Sequence, residues 1–379
     1  MKQLKGKTQN IDTGIVGKIT TKHQYLSSRK NLIYVTNDKY PSKGYLATIT
    51  SSSNLTNKAL QYVEGVKNIS ELRDNDIVII EPNGNISELF DSTSIHNSIF
   101  ITERCNSNCI MCPQPPEKEE EDKLNLNLKY ISLIEKKTKS ISITGGEPTL
   151  IGDKLFVILN AINSRIPNAS INILSNGINF ANYEYAKKFA QVIKQEIIVD
   201  IPIFSDIDTI HNSIVRVNSF YKTIKGIYNL ATFNIKIGIR IVIHKMNYDR
   251  LPELSEFIYS NFPFVYHVAF IQMEPVGFAK DNLDSLWIDP LDYNNELKKA
   301  VQNLHNRDIY VSVFNAQLCV LPNELKRFSV QSISDWKDIY IDECDNCTQK
   351  KQCGGFFSSS KEIHSRGISA FKEIQAKDA

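Results

Sequence analysis

The seven cysteines divide three plus four, and that division constrains the chain more than any other feature of it. Cys105, Cys109 and Cys112 form C-x3-C-x2-C, while Cys319, Cys344, Cys347 and Cys353 form C-x24-C-x2-C-x5-C. In a reducing compartment, thiols grouped at such spacings serve metal ligation or catalysis rather than disulfides. A cytoplasmic chain is the expectation, because the polar start MKQLKGKTQN lacks the apolar stretch of a secretory signal and no run approaches eighteen apolar residues. Forty-four Lys and Arg against forty-two Asp and Glu leave a formal charge of +2. With no basic patch, that balance argues against binding to nucleic acid through its phosphates, and nothing suggests a membrane partner.

Soft thiolates select zinc, copper(I) or iron–sulfur clusters, and both tetrahedral zinc and a cubane cluster want four ligands. The triplet supplies three. A fourth ligand then comes from His or Asp in a structural zinc site, or from a substrate or cofactor in a catalytic one. For the second group the residues alone leave a zinc ribbon and an iron–sulfur cluster both open.

From Ser98 onward, β-branched runs alternate with helical patterns, which predicts an α/β fold with a parallel sheet of six strands. The strands are expected near 98–102, 140–144, 170–174, 197–204, 235–243 and 265–273, and the helices near 125–138, 150–164, 181–194, 213–233 and 250–261. A polar, glycine-rich or cysteine-rich cluster follows each of five strands: Cys105 to Cys112, Gly145 to Pro148, Ser175 to Gly177, Ser205 to Asp206 and Glu274 to Gly277. In a parallel βα barrel the loops after the strands form the active face, so these clusters belong on one rim. The expected division is a small β-rich domain over 1–95, a partial (β/α)6 TIM barrel over 96–305 and a cysteine-rich region over 306–379. The first segment holds no cysteine, and its short alternating runs 32–36, 45–50 and 76–80 imply sheet edges to which an extended peptide can add.

C-x3-C-x2-C after a first strand, followed by Gly145-Gly146-Glu147-Pro148 after a second, resembles the radical S-adenosylmethionine superfamily. The resemblance implies a [4Fe-4S] cluster on Cys105, Cys109 and Cys112, with S-adenosylmethionine chelating the open iron and yielding a 5′-deoxyadenosyl radical on reduction. It further implies that Gly145, Gly146, Glu147 and Pro148 bind the methionyl amine, and that Asn176 is a contact from the third strand. Ser205 or Asp206 would face the ribose, and Arg240 the methionyl carboxylate. Met111 stands where the family commonly has an aromatic residue near adenine. Apart from the resemblance, Glu274, just after a predicted strand, is a candidate for orienting substrate or adenine.

The C-x2-C-x5-C core at Cys344, Cys347 and Cys353 resembles the auxiliary-cluster domains of peptide-modifying radical enzymes, termed SPASM or twitch domains. Phe357 stands where the fuller pattern continues with cysteine, so the resemblance implies one auxiliary [4Fe-4S] cluster, with Cys319 as fourth ligand. More narrowly, Ser94-Ile-His-Asn97, Thr102-Glu-Arg-Cys-Asn-Ser-Asn-Cys109, Cys112-Pro-Gln-Pro-Pro116, Arg250-Leu-Pro-Glu-Leu254 and Cys353-Gly-Gly-Phe-Phe357 resemble the C-type maturase of His-Xaa-Ser repeat peptide systems. The implied partners are a ribosomally made precursor peptide, a second radical maturase and an electron donor. Two rival functions stand beside this one: a radical enzyme acting on a small molecule or tRNA, and a non-catalytic zinc-binding adaptor. His211 and His244, just past predicted strands, are candidates for proton transfer, and the acidic run 117–122 reads as a solvated loop.

Overall fold

Short β-branched stretches separated by turn residues build the first ninety residues into one sheet. Its strands are β1 (Gln3–Lys5), β2 (Lys7–Gln9), β3 (Ile15–Thr20), β4 (Leu32–Thr36), β5 (Ala47–Thr50), β6 (Tyr62–Glu64), β7 (Ile77–Ile80) and β8 (Asn85–Phe90). They run in the order β1-β8-β7-β3-β4-β5-β6-β2. Only Gly6 separates β1 from β2, yet the two stand at opposite ends of that order, so the sheet closes on itself. Glycine is required at the closure. A Cβ on Gly6 would lie 2.5 Å from Val66 Cγ2, and one on Gly84 would lie 1.9 Å from the Gly6 carbonyl. The Gly6 amide donates to the Gly84 carbonyl at 3.0 Å. Among the described residues this sheet lacks the open edges anticipated, because the bent strand 3–9 pairs with β8 through one half and with β6 through the other. Ile19, Ile33, Ile49 and Val63 form a core of its own.

The computed structural model describes residues 3–38, 42–53, 55, 60–118, 122–331 and 339–372. Residues 119–121 of the acidic run lie outside them.

The second sheet is wholly parallel: β9 (Ser98–Phe100), β10 (Ser140–Thr144), β11 (Ser170–Leu174), β12 (Ile197–Pro202), β13 (Lys236–Ile243), β14 (His267–Gln272), β15 (Tyr310–Phe314) and β16 (Ser329–Val330). These pair in chain order, β9 to β16. All six expected strands are here, and two more join them from beyond residue 305. β15 is the β-branched run YVSVF, whose Val311 and Val313 enter the same core as β14.

Parallel neighbours in sequential order need a crossover at each step, and right-handed crossovers put the intervening helices on one face of the sheet. The helices of eight residues or more among the described residues are α1 (Leu124–Leu133), α2 (Asp153–Arg165), α3 (Tyr183–Val192), α4 (Asp208–Val215), α5 (Phe220–Thr232), α6 (Leu251–Asn261) and α7 (Pro290–His305). Against them pack Ile143, Ile173, Val199, Ile201, Ile239 and Ile241, all fully buried. The alternate positions, Ser142, Asn172, Asp200 and Arg240, therefore lie on the face without helices, where each keeps some exposure. The single helix expected over 213–233 is two, broken at Arg216, whose φ is +54°. Helix α7 was not anticipated, although it carries its own start signal. Asp289 caps it by accepting from the Leu291 amide at 3.0 Å, and Pro290 opens it.

The β-rich unit docks on α1, where Tyr130 donates its hydroxyl to the Leu89 carbonyl at 2.8 Å. Beyond β16 the described chain forms 3-10 turns and one bridge, Ile339 to Phe356. It is tied to α7 at Asp289, which accepts from Ser365 Oγ at 2.6 Å and the Arg366 amide at 2.9 Å. Among the described residues, no helix is long and apolar enough to cross a membrane.

Candidate functional site

The loop carrying the first three cysteines leaves β9 and is gripped from several sides. Gly146 donates its amide to the Thr102 carbonyl at 2.7 Å, and Glu147 to the Arg104 carbonyl at 2.8 Å. A Cβ on Gly145 would fall 2.4 Å from the Thr102 oxygen, and one on Gly146 2.2 Å from the Arg104 oxygen. The bare faces of both glycines thus lie against the backbone that leads into Cys105. Pro148 is buried at the start of the 3-10 turn that follows.

Glu147 is fully buried and works inside the protein. Its Oε1 accepts from the Thr149 amide at 3.0 Å, Thr149 Oγ1 at 2.6 Å and Ser175 Oγ at 2.8 Å, and its Oε2 from the Asn176 amide at 2.6 Å. Burial pushes its carboxyl up, and these donors act in the opposite direction. Through Glu147 the loop after β10 fixes the loop after β11. Asn176 then reaches the cysteine loop, donating Nδ2 to Asn106 Oδ1 at 2.6 Å and to Ser107 Oγ at 3.3 Å.

A second grip was not visible in the sequence. Asn108 and Ile110 donate their amides to Val215 and Ile214 at the end of α4, while Phe278 donates its amide to the Cys112 carbonyl at 2.9 Å. Gly277 has φ +57°, and a Cβ there would lie 2.6 Å from the Cys112 oxygen. Asn282 adds a bond from Nδ2 to the Ile110 carbonyl at 3.2 Å. The only hint was a glycine two positions after a strand-end proline.

The three thiols are half-buried, and Cys105 opens with Arg104, Ser107 and Asn108 onto a cavity of about 480 Å³. Burial pushes the Cys105 thiol up to about 11 and the Cys109 thiol up to about 12, with neighbouring sulfurs adding to both, and raises Cys112 as well. Ligation must therefore displace protons from poorly solvated sulfurs. Among the described residues, no three thiols of the chain have sulfurs all within 4.8 Å of one another. A tetrahedral zinc with Zn–S of about 2.3 Å needs its sulfurs about 3.8 Å apart. This donor set fits a polynuclear cluster better than one zinc ion.

The other expected site residues divide. Ser205 is buried and accepts from the Ile207 amide at 3.1 Å. Asp206 is held by Arg250, which donates Nε and Nη2 to its two oxygens at 2.8 and 2.6 Å. Burial works against its charge, but this fork holds the carboxyl below its ordinary range. Met111 is buried in an apolar cluster with Phe204, Ile214, Met273 and Leu286. Glu274 is half-buried just after β14. Arg240, in the middle of β13, faces the side without helices and has no hydrogen bond or ion pair to its guanidinium among the described residues. It is a cation ready for an anion.

The two histidines do not suit proton transfer. His211 Nδ1 accepts from the Phe204 amide and His244 Nδ1 from the Met246 amide, each at 3.3 Å. Both rings are buried, and burial pushes both down to about 4, so they stand neutral in the interior.

Cys319, Cys344, Cys347 and Cys353 converge on one small enclosed cavity, which Tyr340 and Phe371 also line. Burial raises Cys319 and Cys344. Phe357 is buried beside the neighbouring cavity, at the ends of β13, β14 and β15. The two cavities share Gln317 and Phe356 as a wall.

Residues 99–258 match the family model of the radical SAM superfamily. The chain carries a radical SAM domain. Over 173 residues it is 31% identical to an uncharacterized protein of Methanocaldococcus jannaschii, covering 43% of this chain and 57% of that protein. Over 226 residues it is 24% identical to a probable GTP 3′,8-cyclase of Saccharolobus islandicus, covering 56% and 69%. Among solved structures it is similar to SuiB of Streptococcus suis bound to S-adenosylmethionine, at 17% identity and a TM-score of 0.47 over 60% of this chain and 51% of SuiB. A radical SAM methyltransferase from Sphaerobacter thermophilus matches at 12% identity and a TM-score of 0.47, over 63% and 72%. The radical SAM domain thus spans the cysteine loop, the Gly-Gly-Glu-Pro segment, Asn176, Ser205, Asp206 and Arg240.

Proposed function

We propose that the chain reductively cleaves S-adenosylmethionine and uses the product to modify a ribosomally made precursor peptide. The observation that carries the reading is the convergence of three half-buried thiols, the Gly-Gly-Glu-Pro loop and Asn176 at one end of the parallel sheet, with Arg240 on its helix-free face and no hydrogen-bond partner to its guanidinium among the described residues. Cys105, Cys109 and Cys112 would hold a [4Fe-4S] cluster, which when bound supplies the electron that breaks the sulfonium bond. Arg240 would fork the methionyl carboxylate. The four C-terminal thiols would hold one auxiliary cluster beside the sheet rim. With Asp206 committed to Arg250, Ser205 and Asp206 are better read as shaping the rim than as ribose ligands.

The peptide reading rests on the maturase-like segments and on the wall that the second thiol cavity shares with the rim. Because β15 and β16 join the parallel sheet, the proposed layout moves the second boundary from the expected 305 to about 330, giving 1–95, 96–330 and 331–379, with the first domain presenting the peptide or a partner maturase through a surface other than a sheet edge. The likeness to probable GTP 3′,8-cyclases supports a second reading, a small-molecule substrate. Anaerobic co-expression with the neighbouring genes, followed by mass spectrometry of each small peptide product, tests the first. Incubation of the reconstituted protein with GTP and S-adenosylmethionine tests the second. A mass change on a peptide supports the maturase, whereas GTP consumption with all peptides unmodified overturns it.

A further inference from the structure

A cation on a sheet face is costly unless a counter-charge stands near, yet a counter-ion in contact would occupy the fork that a ligand needs. Arg240 and its neighbours resolve this in a specific way. Asp200 lies on the adjacent strand β12, directly opposite Gly238 in register, two residues below Arg240 on the same face. It makes no ion pair with Arg240. Instead Asn172, from β11, donates Nδ2 to Asp200 Oδ2 at 2.8 Å. Asp200 Oδ1 lies where a side chain on Gly238 would begin, 1.8 Å from an ideal Cβ. Glycine in a central strand weakens it and marks a close approach. Here the approaching group is the Asp200 carboxylate.

We propose that Asp200 is a positioning residue. Held back by Asn172 over the bare backbone of Gly238, it balances the Arg240 charge from beyond contact distance and leaves the guanidinium fork open to a ligand carboxylate. The proposal rests on the reading of Arg240 as the site of the methionyl carboxylate. Its consequence is that Asn172 acts as a restraint. Without it, Asp200 turns along the strand face, pairs with Arg240 and competes with the ligand.

The test compares two probes on the full chain with clusters reconstituted: S-adenosylhomocysteine, which carries the amino-acid carboxylate, and 5′-methylthioadenosine, which lacks it. Dissociation constants are measured by calorimetry for the wild type, Asn172→Ala, Asn172→Ala with Asp200→Asn, and Arg240→Gln, with a melting temperature for each. Asn172→Ala is expected to weaken S-adenosylhomocysteine roughly tenfold while leaving 5′-methylthioadenosine unchanged, and adding Asp200→Asn is expected to restore most of that loss. If Asn172→Ala does not fold, Asn172→Ser replaces it in both variants. An Arg240→Gln variant that binds S-adenosylhomocysteine as well as the wild type would overturn the carboxylate reading itself. If Arg240→Gln weakens binding but the Asn172 variant does not, or if Asp200→Asn fails to rescue it, the positioning role of Asp200 is overturned and the carboxylate reading stands.

Discussion

The two groups of cysteines are held by different means. Cys105, Cys109 and Cys112 sit in a loop fixed by backbone bonds from the segment after β10, the end of α4 and the segment after β14, with Asn176 adding side-chain bonds. Cys344, Cys347 and Cys353 stand among 3-10 turns with one β-bridge, and with Cys319 they share one small cavity whose other lining includes Tyr340, Phe356 and Phe371. The first site is shaped by the regular elements around it, whereas the second would gain most of its order from the cluster proposed for its four thiols. A preformed site spends little on ordering when it is loaded, and an unformed one couples loading to folding.

The sharpest way to break that contrast is to remove each set of ligands. Replacing Cys105, Cys109 and Cys112 by Ala is expected to reduce 5′-deoxyadenosine formation to background while the melting temperature stays close to that of the wild type. A triple variant that still forms 5′-deoxyadenosine on reduction would overturn the assignment. Replacing Cys344 and Cys347 by Ala should lower anaerobic iron from about eight to about four atoms per chain. It should also speed proteolysis within 339–372 roughly tenfold, without comparable cleavage in the parallel sheet. Stoichiometric zinc with only about four irons in wild-type protein would instead make the second site a zinc ribbon.

How much of this was legible in the sequence follows the same contrast. The cysteine triplet, Gly-Gly-Glu-Pro and Asn176 were legible because each follows a strongly β-branched strand, and parallel topology brings such loops to one rim. The grip by Gly277 and Asn282 was not, since it depends on a backbone approach to Cys112 across a long stretch of chain. Arg250 as the partner of Asp206 was also hidden, because the pairing joins the ends of two strands through unrelated loops. β15 falls within the segment expected as a cysteine-rich region, although YVSVF alternates as a strand should. The closure of the N-terminal sheet turns on the close approach of Gly6 and Gly84, and periodicity cannot separate a bent strand from an edge.

Glycines offer a smaller probe of the two regions. A Cβ on Gly146 would fall 2.2 Å from the Arg104 carbonyl, whereas one on Gly354, next to Cys353, meets nothing nearer than 3.5 Å. Gly146→Ala is expected to cost about 1–3 kcal/mol and to slow S-adenosylmethionine cleavage roughly tenfold or more, because the displaced backbone leads directly into Cys105. Gly354→Ala should cost less than about 0.5 kcal/mol and leave the iron content unchanged. Equal losses from both substitutions would mean that the C-terminal region is as tightly prepacked as the loop.

Acid should also separate the regions, with the smallest effect on each residue. His211 and His244 are buried beside Phe204 in the parallel-sheet region, and burial pushes both down to about 4 from an ordinary value near 6.5. Between those values the unfolded chain binds a proton at each ring that the folded chain refuses. Folded stability is therefore full above about pH 6.5 and falls as the pH drops toward 4. At pH 5.5 the loss is about 1 kcal/mol for each histidine relative to pH 7.5. Denaturant unfolding of the parallel-sheet region at the two pH values is the measurement, repeated with His211→Gln and His244→Gln. Each substitution should remove about half of the pH-dependent difference, even where it lowers stability overall by disturbing the bond to Phe204 or Met246. A pH-dependent loss of the same size in the double variant would show that other groups govern acid unfolding, and that these two buried rings do not set the acid sensitivity of the parallel-sheet region.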